Sequence, residues 1–189
     1  MSQIIELSCP LSREAAARLR AGDVVRLSGV IFSARDAAHK RICAALEAGE
    51  APPFPLEGAV IYYMGPSPAL PGHVIGAAGP TTSYRMDAYA PLLLERGALG
   101  MIGKGARSAA VKESICRFGG VYFAAVGGAG ALLSRCIRSA EVVAYPDLGA
   151  EAVRRLEIAD FPAVVVNDCA GGDWYEAGRA AYLAGRQNA

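Results

Sequence analysis

The string Gly79-Pro80-Thr81-Thr82-Ser83-Tyr84-Arg85-Met86-Asp87 places hydroxyls and a guanidinium between a Gly-Pro turn and the opening of a helix. A hydrophobic core has no use for that mixture, but an anionic ligand has. Gly79 and Pro80 force the turn, backbone N–H groups open toward solvent, and Arg85 is able to grip a carboxylate through two parallel hydrogen bonds. The same residues also suit an ordinary helix start capped by Thr81, Thr82 or Ser83. Two more polar stretches, Ser33–Asp36 and Gly103-Lys104-Gly105, likewise follow strand-like runs, and α/β folds bind ligands at the carboxyl ends of strands. Arg35, Arg85 and Lys104, with the hydroxyls of Thr81 and Thr82, would suit a small dicarboxylate: each guanidinium fixes one carboxylate plane and the lysine adds a point charge. For Arg35 the plainer alternative is a surface pair with Asp36 or Glu47. The glycines flanking Lys104 permit close backbone approach, which a merely solvated lysine does not need.

Other chemistries fail on spacing. Gly103-Lys104 lacks a glycine at 98 and a following Ser or Thr, so it is not a P-loop. Gly128-Ala129-Gly130 has Leu133 where the dinucleotide fingerprint needs a third small residue. Gly127–Gly130 is either a backbone cradle for a carboxylate or a tight strand-to-helix turn. The five cysteines, at 9, 43, 116, 136 and 169, contain no Cys-x-x-Cys, so no local zinc-ribbon or ferredoxin-type motif is present and no metal site is expected on this chain. Cys43, Cys116 and Cys136 fall in apolar helical patterns and are expected to be small core residues. His39 lies one helical turn beyond Arg35, where it either touches the crevice or makes a structural hydrogen bond.

Positioning these groups requires alternating elements. Residues 3–8 read as a strand, and Pro10–Leu19 as a helix capped by Ser12. Val24–Phe32 is a strand, and Ser33-Ala34-Arg35-Asp36 resembles a capping box that opens a helix to Glu47. Strands are expected at 58–64, 73–78, 98–102, 121–126, 141–145 and 163–167. Helices are expected after the 79–87 motif to Arg96, over 106–118 and near 131–137, and an amphipathic tail from Asp173. Alternation makes the class α/β. Two consecutive strands without a helix between them, 58–64 and 73–78, argue for a mixed sheet.

The composition fits a single globular domain: 189 residues, 53% hydrophobic, net charge +1 with dispersed Lys and Arg. No nucleic-acid surface or polybasic membrane anchor is expected. No apolar run reaches the roughly 18 residues a bilayer span needs. The first residues resemble no signal peptide, and a cytoplasmic location is expected. Trp174 and Tyr175, near the end of an Ala- and Val-rich chain, hint at a buried subunit face.

Taken in order, Ser33–His39, Gly79-Pro80-Thr81-Thr82-x-x-Arg85-Met86-Asp87, Gly103-Lys104-Gly105 and Gly127-Gly128-Ala129 resemble the β subunit, or C-terminal domain, of the iron–sulfur class I fumarate hydratases. The tartrate dehydratase β subunit belongs to the same family. Tyr145–Gly149 and Asp160–Ala163 look like later landmarks, and the resemblance covers about residues 5–175. It implies an α/β fold of the swivelling β/β/α type: a single domain over residues 1–175 with a mixed sheet flanked by helices, and a tail over 176–189. It also implies a partner α subunit, in a heterotetramer or similar heteromer, carrying a [4Fe–4S] cluster that this chain does not ligate. The implied activity is hydro-lyase interconversion of fumarate and malate. Arg35, Thr81, Arg85 and Lys104 would bind the substrate; Thr81, Arg85 and Lys104 would act in catalysis, with Thr81 as proton acceptor. The alternatives are a tartrate dehydratase β subunit and a cluster-free dicarboxylate-binding domain.

Overall fold

Ile5, Leu7 and Cys9 alternate with Glu6 and Ser8 in the first strand, β1 (Ile5–Cys9), which pairs in parallel with β2 (Val24–Ser33). Between them the hydroxyl of Ser12 accepts from the Ala15 N–H and starts the short helix α1 (Arg13–Arg18). These elements belong to a computed structural model that describes residues 4–187. Position 3 of the expected first strand and positions 188–189 of the expected tail lie outside the described residues.

Helix α2 (Asp36–Glu47) follows β2, but the expected capping box is absent. Ser33 is the last residue of β2, and its hydroxyl is buried without a partner. Arg35 is the N-cap, without a side-chain cap bond. The Ala37 N–H instead donates to Glu151 Oε2 at 3.0 Å, a cap supplied from 114 positions away.

The strands β3 (Val60–Tyr62), β4 (Gly100–Gly103) and β5 (Val121–Ala124) continue the parallel sheet. They are short apolar runs without polar alternation, as expected for strands covered on both faces. Val60, Tyr62, Ile102, Val121 and Phe123 face one core, and Ile61, Met101 and Tyr122 face a second.

No strand forms over 73–78. The Ala77 N–H donates to Ser67 Oγ, the Ala78 N–H to the Gly130 carbonyl, and the Tyr62 hydroxyl to the Ala78 carbonyl. At Ala77 and Ala78 the backbone hydrogen bonds thus go to loops and side chains rather than to a ladder. The motif at 79–87 precedes its helix, as expected. It forms a 3-10 turn, Ser83–Met86, and α3 starts only at Ala90 (Ala90–Glu95), with proline in its first turn. Helix α4 (Ala109–Phe118) begins three residues later than expected, because Ser108 caps it through the Val111 N–H, and it ends at Gly119 in the left-handed conformation.

The sheet is mixed for a reason other than the expected one. A short helix, α5 (Gly130–Leu133), and a 3-10 turn lead into β6 (Ile137–Ala144). After a second turn at Pro146–Glu151, β7 (Val153–Asn167) runs antiparallel to β6, β2 and β5. The sequence suggested only the 163–167 end of this strand, since Arg154, Arg155, Glu157, Asp160 and Pro162 interrupt its pattern. Asp160 sits at φ 53°, where its N–H leaves the ladder for Ser28 Oγ.

The strand order β1-β2-β3-β4-β5-β7-β6, with β7 also paired to β2, closes five strands into a ring and leaves β1 and β6 as appended edges. One core lies between the parallel strands and β7, where Leu156, Ile158, Phe161 and Val165 meet Leu27, Tyr62 and Phe123. The second lies between the same strands and α2, α3 and α4, around Ile42, Leu93, Leu94, Val111 and Ile115. Two cores separating three layers give the β/β/α architecture expected of the sequence: one mixed α/β domain with a seven-stranded sheet. The closing helix α6 (Trp174–Gln187) leaves Tyr182 and Leu183 half exposed or more. Trp174, although it packs against Gly22, and Tyr175 are also partly exposed.

Candidate functional site

Just beyond the paired ends of β3 and β4, residues 81–83 insert as a third, irregular line, and the strip continues to Asp87 through the 3-10 turn. The Thr81 N–H donates to the Tyr63 carbonyl at 2.7 Å, the Lys104 N–H to the Thr81 carbonyl at 3.3 Å, and the Ser83 N–H to the Lys104 carbonyl at 2.9 Å. Thr81 and Lys104, 23 positions apart in sequence (104 − 81), are therefore held together by backbone. A Cβ on Gly103 would collide with the Ser83 hydroxyl, so the glycine before Lys104 serves this close approach. The glycine-rich loop at 127–130 joins the same wall. A Cβ on Gly127 would lie 3.9 Å from Lys104 Nζ, and one on Gly130 would press on Gly79.

Below this strip lies a buried scaffold. The Ser83 hydroxyl meets the Tyr122 hydroxyl at 2.9 Å, and Tyr122 donates to the Gly105 carbonyl. Asp87 accepts from Arg107 Nε through Oδ1 and from the Ser108 N–H through Oδ2, both at 2.7 Å. The Arg107 guanidinium is fully buried and lies over the rings of Tyr63 and Tyr122. Burial opposes its charge, but Tyr63, Asp87 and Tyr122 outweigh that and hold its pKa above the ordinary value. Within the motif, Ser83, Met86 and Asp87 face inward or anchor, whereas Arg85 is exposed and Thr81 half-buried.

The two arginines meet at one carboxylate. Arg85 Nε donates to Asp36 Oδ1 at 2.7 Å, and Arg35 Nη2 lies 3.7 Å from Asp36 Oδ2. Arg35 Nη2 is also 3.4 Å from Glu151 Oε1, and Gly65 has no side chain to crowd it. The turn at 145–151 delivers Glu151, and it is clamped to α2 by Arg41, which grips Asp147 at 2.8 and 2.6 Å. The four candidate residues thus form two pairs, Arg35 with Arg85 and Thr81 with Lys104, joined through the 81–85 strip. Among the described residues no hydrogen bond or ion pair links Lys104 to either arginine. With Arg85 and Lys104 exposed, the site is an open cationic face.

Sequence reasoning did not find Glu151 or Arg107, and it made Asp36 the acid of a capping box or a surface partner of Arg35, where the structure has it accept from Arg85. A long-range cap such as Glu151 leaves no local signal. Arg107 had one: it stands next to Ser108, whose type marks a helix start.

His39 takes the structural alternative. It is fully buried, its Nδ1 lies 2.9 Å from the Arg35 carbonyl, and its Nε2 has no partner. Burial, reinforced by Arg107 and only partly opposed by the Arg35 carbonyl and Asp36, pushes its pKa down to about 4. The folded state holds the neutral ring, whereas the unfolded chain protonates it near pH 6.5. Its contribution to stability is therefore complete above that pH and falls as the pH drops toward 4, by up to about 3 kcal/mol. Denaturant unfolding at pH 7.5 and 4.5 checks this: His39→Gln should lose that part of the pH dependence, and an identical pH slope in both proteins would contradict it.

Among the described residues no group of three or more His, Cys, Asp or Glu side chains is placed to hold a metal ion. All five cysteines are free. Burial pushes the Cys9 thiol up to about 12 and the Cys43 thiol up to about 11, the reverse of what a thiolate ligand needs. Cys116 is exposed, contrary to the expectation that it fills a core, whereas Cys136 is partly buried and packs against the first core. The residues present therefore do not fit an iron–sulfur cluster.

Residues 1–178 match the model of a family described as "Fumarase C-terminus". The chain belongs to this family. It is 39% identical over 152 residues to the anaerobic class I fumarate hydratase of Escherichia coli K12, covering 79% of this chain and 28% of that protein. It is 36% identical over 175 residues to fumarate hydratase 2 of Leishmania major, covering 90% and 31%. The chain thus spans less than a third of either fumarate hydratase. A protein of Methanocaldococcus jannaschii, called a putative L(+)-tartrate dehydratase subunit beta, is 36% identical over 172 residues, covering 88% of both chains. Fumarase C-terminus membership agrees with the resemblance drawn from the motifs. Among the described residues no helix is long and apolar enough to cross a membrane.

Proposed function

We propose that this chain is the β subunit of a hydro-lyase that interconverts fumarate and (S)-malate. The observation that carries the proposal is the meeting of Arg35 and Arg85, drawn from different elements, at a single carboxylate beside the Thr81–Lys104 pair. In the proposed site Arg35 and Arg85 fix the planes of the substrate carboxylates. Lys104 stabilises the third negative charge that malate, already a dianion, gains as the carbon beside a carboxylate loses its proton; the hydroxyl on the neighbouring carbon would then leave as water with a proton from the partner subunit. Thr81 Oγ receives the proton lost from carbon; a hydroxyl is a weak base, so the role depends on the surrounding cations favouring its alkoxide.

The [4Fe–4S] cluster is assigned to a partner α subunit in a cytoplasmic heteromer, since the thiols of this chain do not suit it. Two apolar side chains support a partner that closes over the face. Tyr84, beside Arg85, and Val126, beside Gly127, are 66% and 71% exposed. Residues 1–175 are proposed as the catalytic half-site domain, and 176–189 as its tail.

The test is anaerobic reconstitution with a cluster-bearing α subunit. Fumarate hydration that needs both chains and is lost in air is the expected result. Full activity of this chain alone, without iron, would overturn it. Micromolar malate binding by the chain alone, measured by calorimetry, would favour a non-catalytic dicarboxylate-binding domain. A second reading, L(+)-tartrate dehydratase β subunit, is favoured by the M. jannaschii relative, which matches along nearly its whole length. Turnover of malate against tartrate by the reconstituted pair separates the two.

A further inference from the structure

We propose that Asp36 is a positioning residue: it holds Arg85 by one edge so that the other edge faces the substrate, and this inference rests on the function proposed above. A guanidinium presents two edges to carboxylates, one containing Nε and one formed by the two terminal nitrogens. Asp36 Oδ1 takes Nε at 2.7 Å. Among the described residues the Arg85 terminal nitrogens have no hydrogen-bond partner. The end-on fork is thus left for a ligand, aimed by a bond on its far side.

The first turn of α2 shows why Asp36 does this rather than cap its helix. An acidic residue at the first helical position commonly serves the nearby N–H groups and the helix dipole. Here Glu151 Oε2 already takes the Ala37 N–H, so the cap is supplied from elsewhere. Among the described residues the buried Asp36 Oδ2 makes no hydrogen bond, and it faces Arg35 Nη2 at 3.7 Å. Arg35 Nε is a buried donor that is likewise unspent. One carboxylate therefore stands between two guanidiniums that would otherwise repel each other, and the exposed one, Arg85, retains donors for a further anion. Arg85, with 43% of its side chain exposed, has little else to hold it.

A double-mutant cycle on the reconstituted enzyme tests the proposal. Asp36→Asn should raise KM for fumarate about tenfold with a smaller fall in kcat, and Asp36→Glu should recover part of the loss. In an Arg85→Lys background the same Asp36→Asn change should cost about threefold or less, because only its contact with Arg35 is then left to lose. Equal losses in both backgrounds, or no loss in either, would overturn the proposal. A second measurement does not depend on turnover: the Arg85 Nε–Hε proton, followed by NMR in the full chain, should exchange slowly in the wild type and rapidly in Asp36→Asn. Slow exchange in both would also overturn it. If the wild-type pair hydrates no fumarate while the NMR result holds, the substrate assignment has failed and the positioning role stands.

Discussion

Lysine in place of Arg85 is expected to lower kcat/KM for fumarate about thirty- to a hundredfold in the reconstituted enzyme, with little change in melting temperature. The charge survives this change, but the two-edged geometry does not. Lysine offers a point charge on a flexible stem, so it cannot hold Asp36 with one edge and a substrate carboxylate with the other. A hydrogen bond between charged partners is worth about 1.5–3 kcal/mol, and a rate falls tenfold for each 1.4 kcal/mol lost from the transition state. Stability should barely move, because the Arg85–Asp36 pair is partly exposed, 43% and 28% at the two side chains, and solvent-screened pairs contribute about 0–1 kcal/mol. Kinetics at wild-type level in Arg85→Lys would mean that Arg85 touches no substrate carboxylate.

The parts of the site that local rules govern were legible in the sequence. A Gly-Pro turn, a strand ending before Arg35 and a glycine on each side of Lys104 are short-range facts, and the backbone places all three where those facts imply. The family motifs carried the β/β/α layering, although the strand at 73–78 that first suggested a mixed sheet does not exist. Its apolar residues go to the core only at Ile75 and Ala78. The antiparallel component comes instead from β7, whose charged residues hide its length: on a strand with one open face they are tolerated, and they blur the alternation. What could not be read were groups that act across the chain. Glu151 caps a helix that begins 115 positions earlier (151 − 36), and no pattern in a window of residues shows that. The capping box assigned to Ser33 failed for the same reason: the local candidate lost to a distant carboxylate.

The distinction between the strip and its scaffold gives the largest expected effect on stability. Arg107→Leu should destabilise the protein by about 3 kcal/mol in urea unfolding, because it leaves Asp87 a largely buried carboxylate with only the Ser108 N–H as partner. Asp87 is 13% exposed at its side chain, and Arg107 is its ion-pair partner at 2.7 Å. Asp87→Asn/Arg107→Leu should be clearly more stable than the single variant. Asparagine carries no charge, and its oxygen still accepts from the Ser108 N–H that starts α4. If the double variant is no better, the loss belongs to Arg107 packing between Tyr63 and Tyr122 and not to the stranded charge. The two scaffold bonds, Ser83 to Tyr122 and Asp87 to Arg107, lie on either side of Arg85 in the strip. Arg107→Leu therefore frees the end of the strip beyond Arg85 while leaving Thr81 bound to Tyr63 and Lys104 through the backbone. Substrate affinity should fall further in Arg107→Leu than in the stabilised double variant, even under conditions where both are fully folded, because a guanidinium aims only as well as the backbone that carries it is fixed.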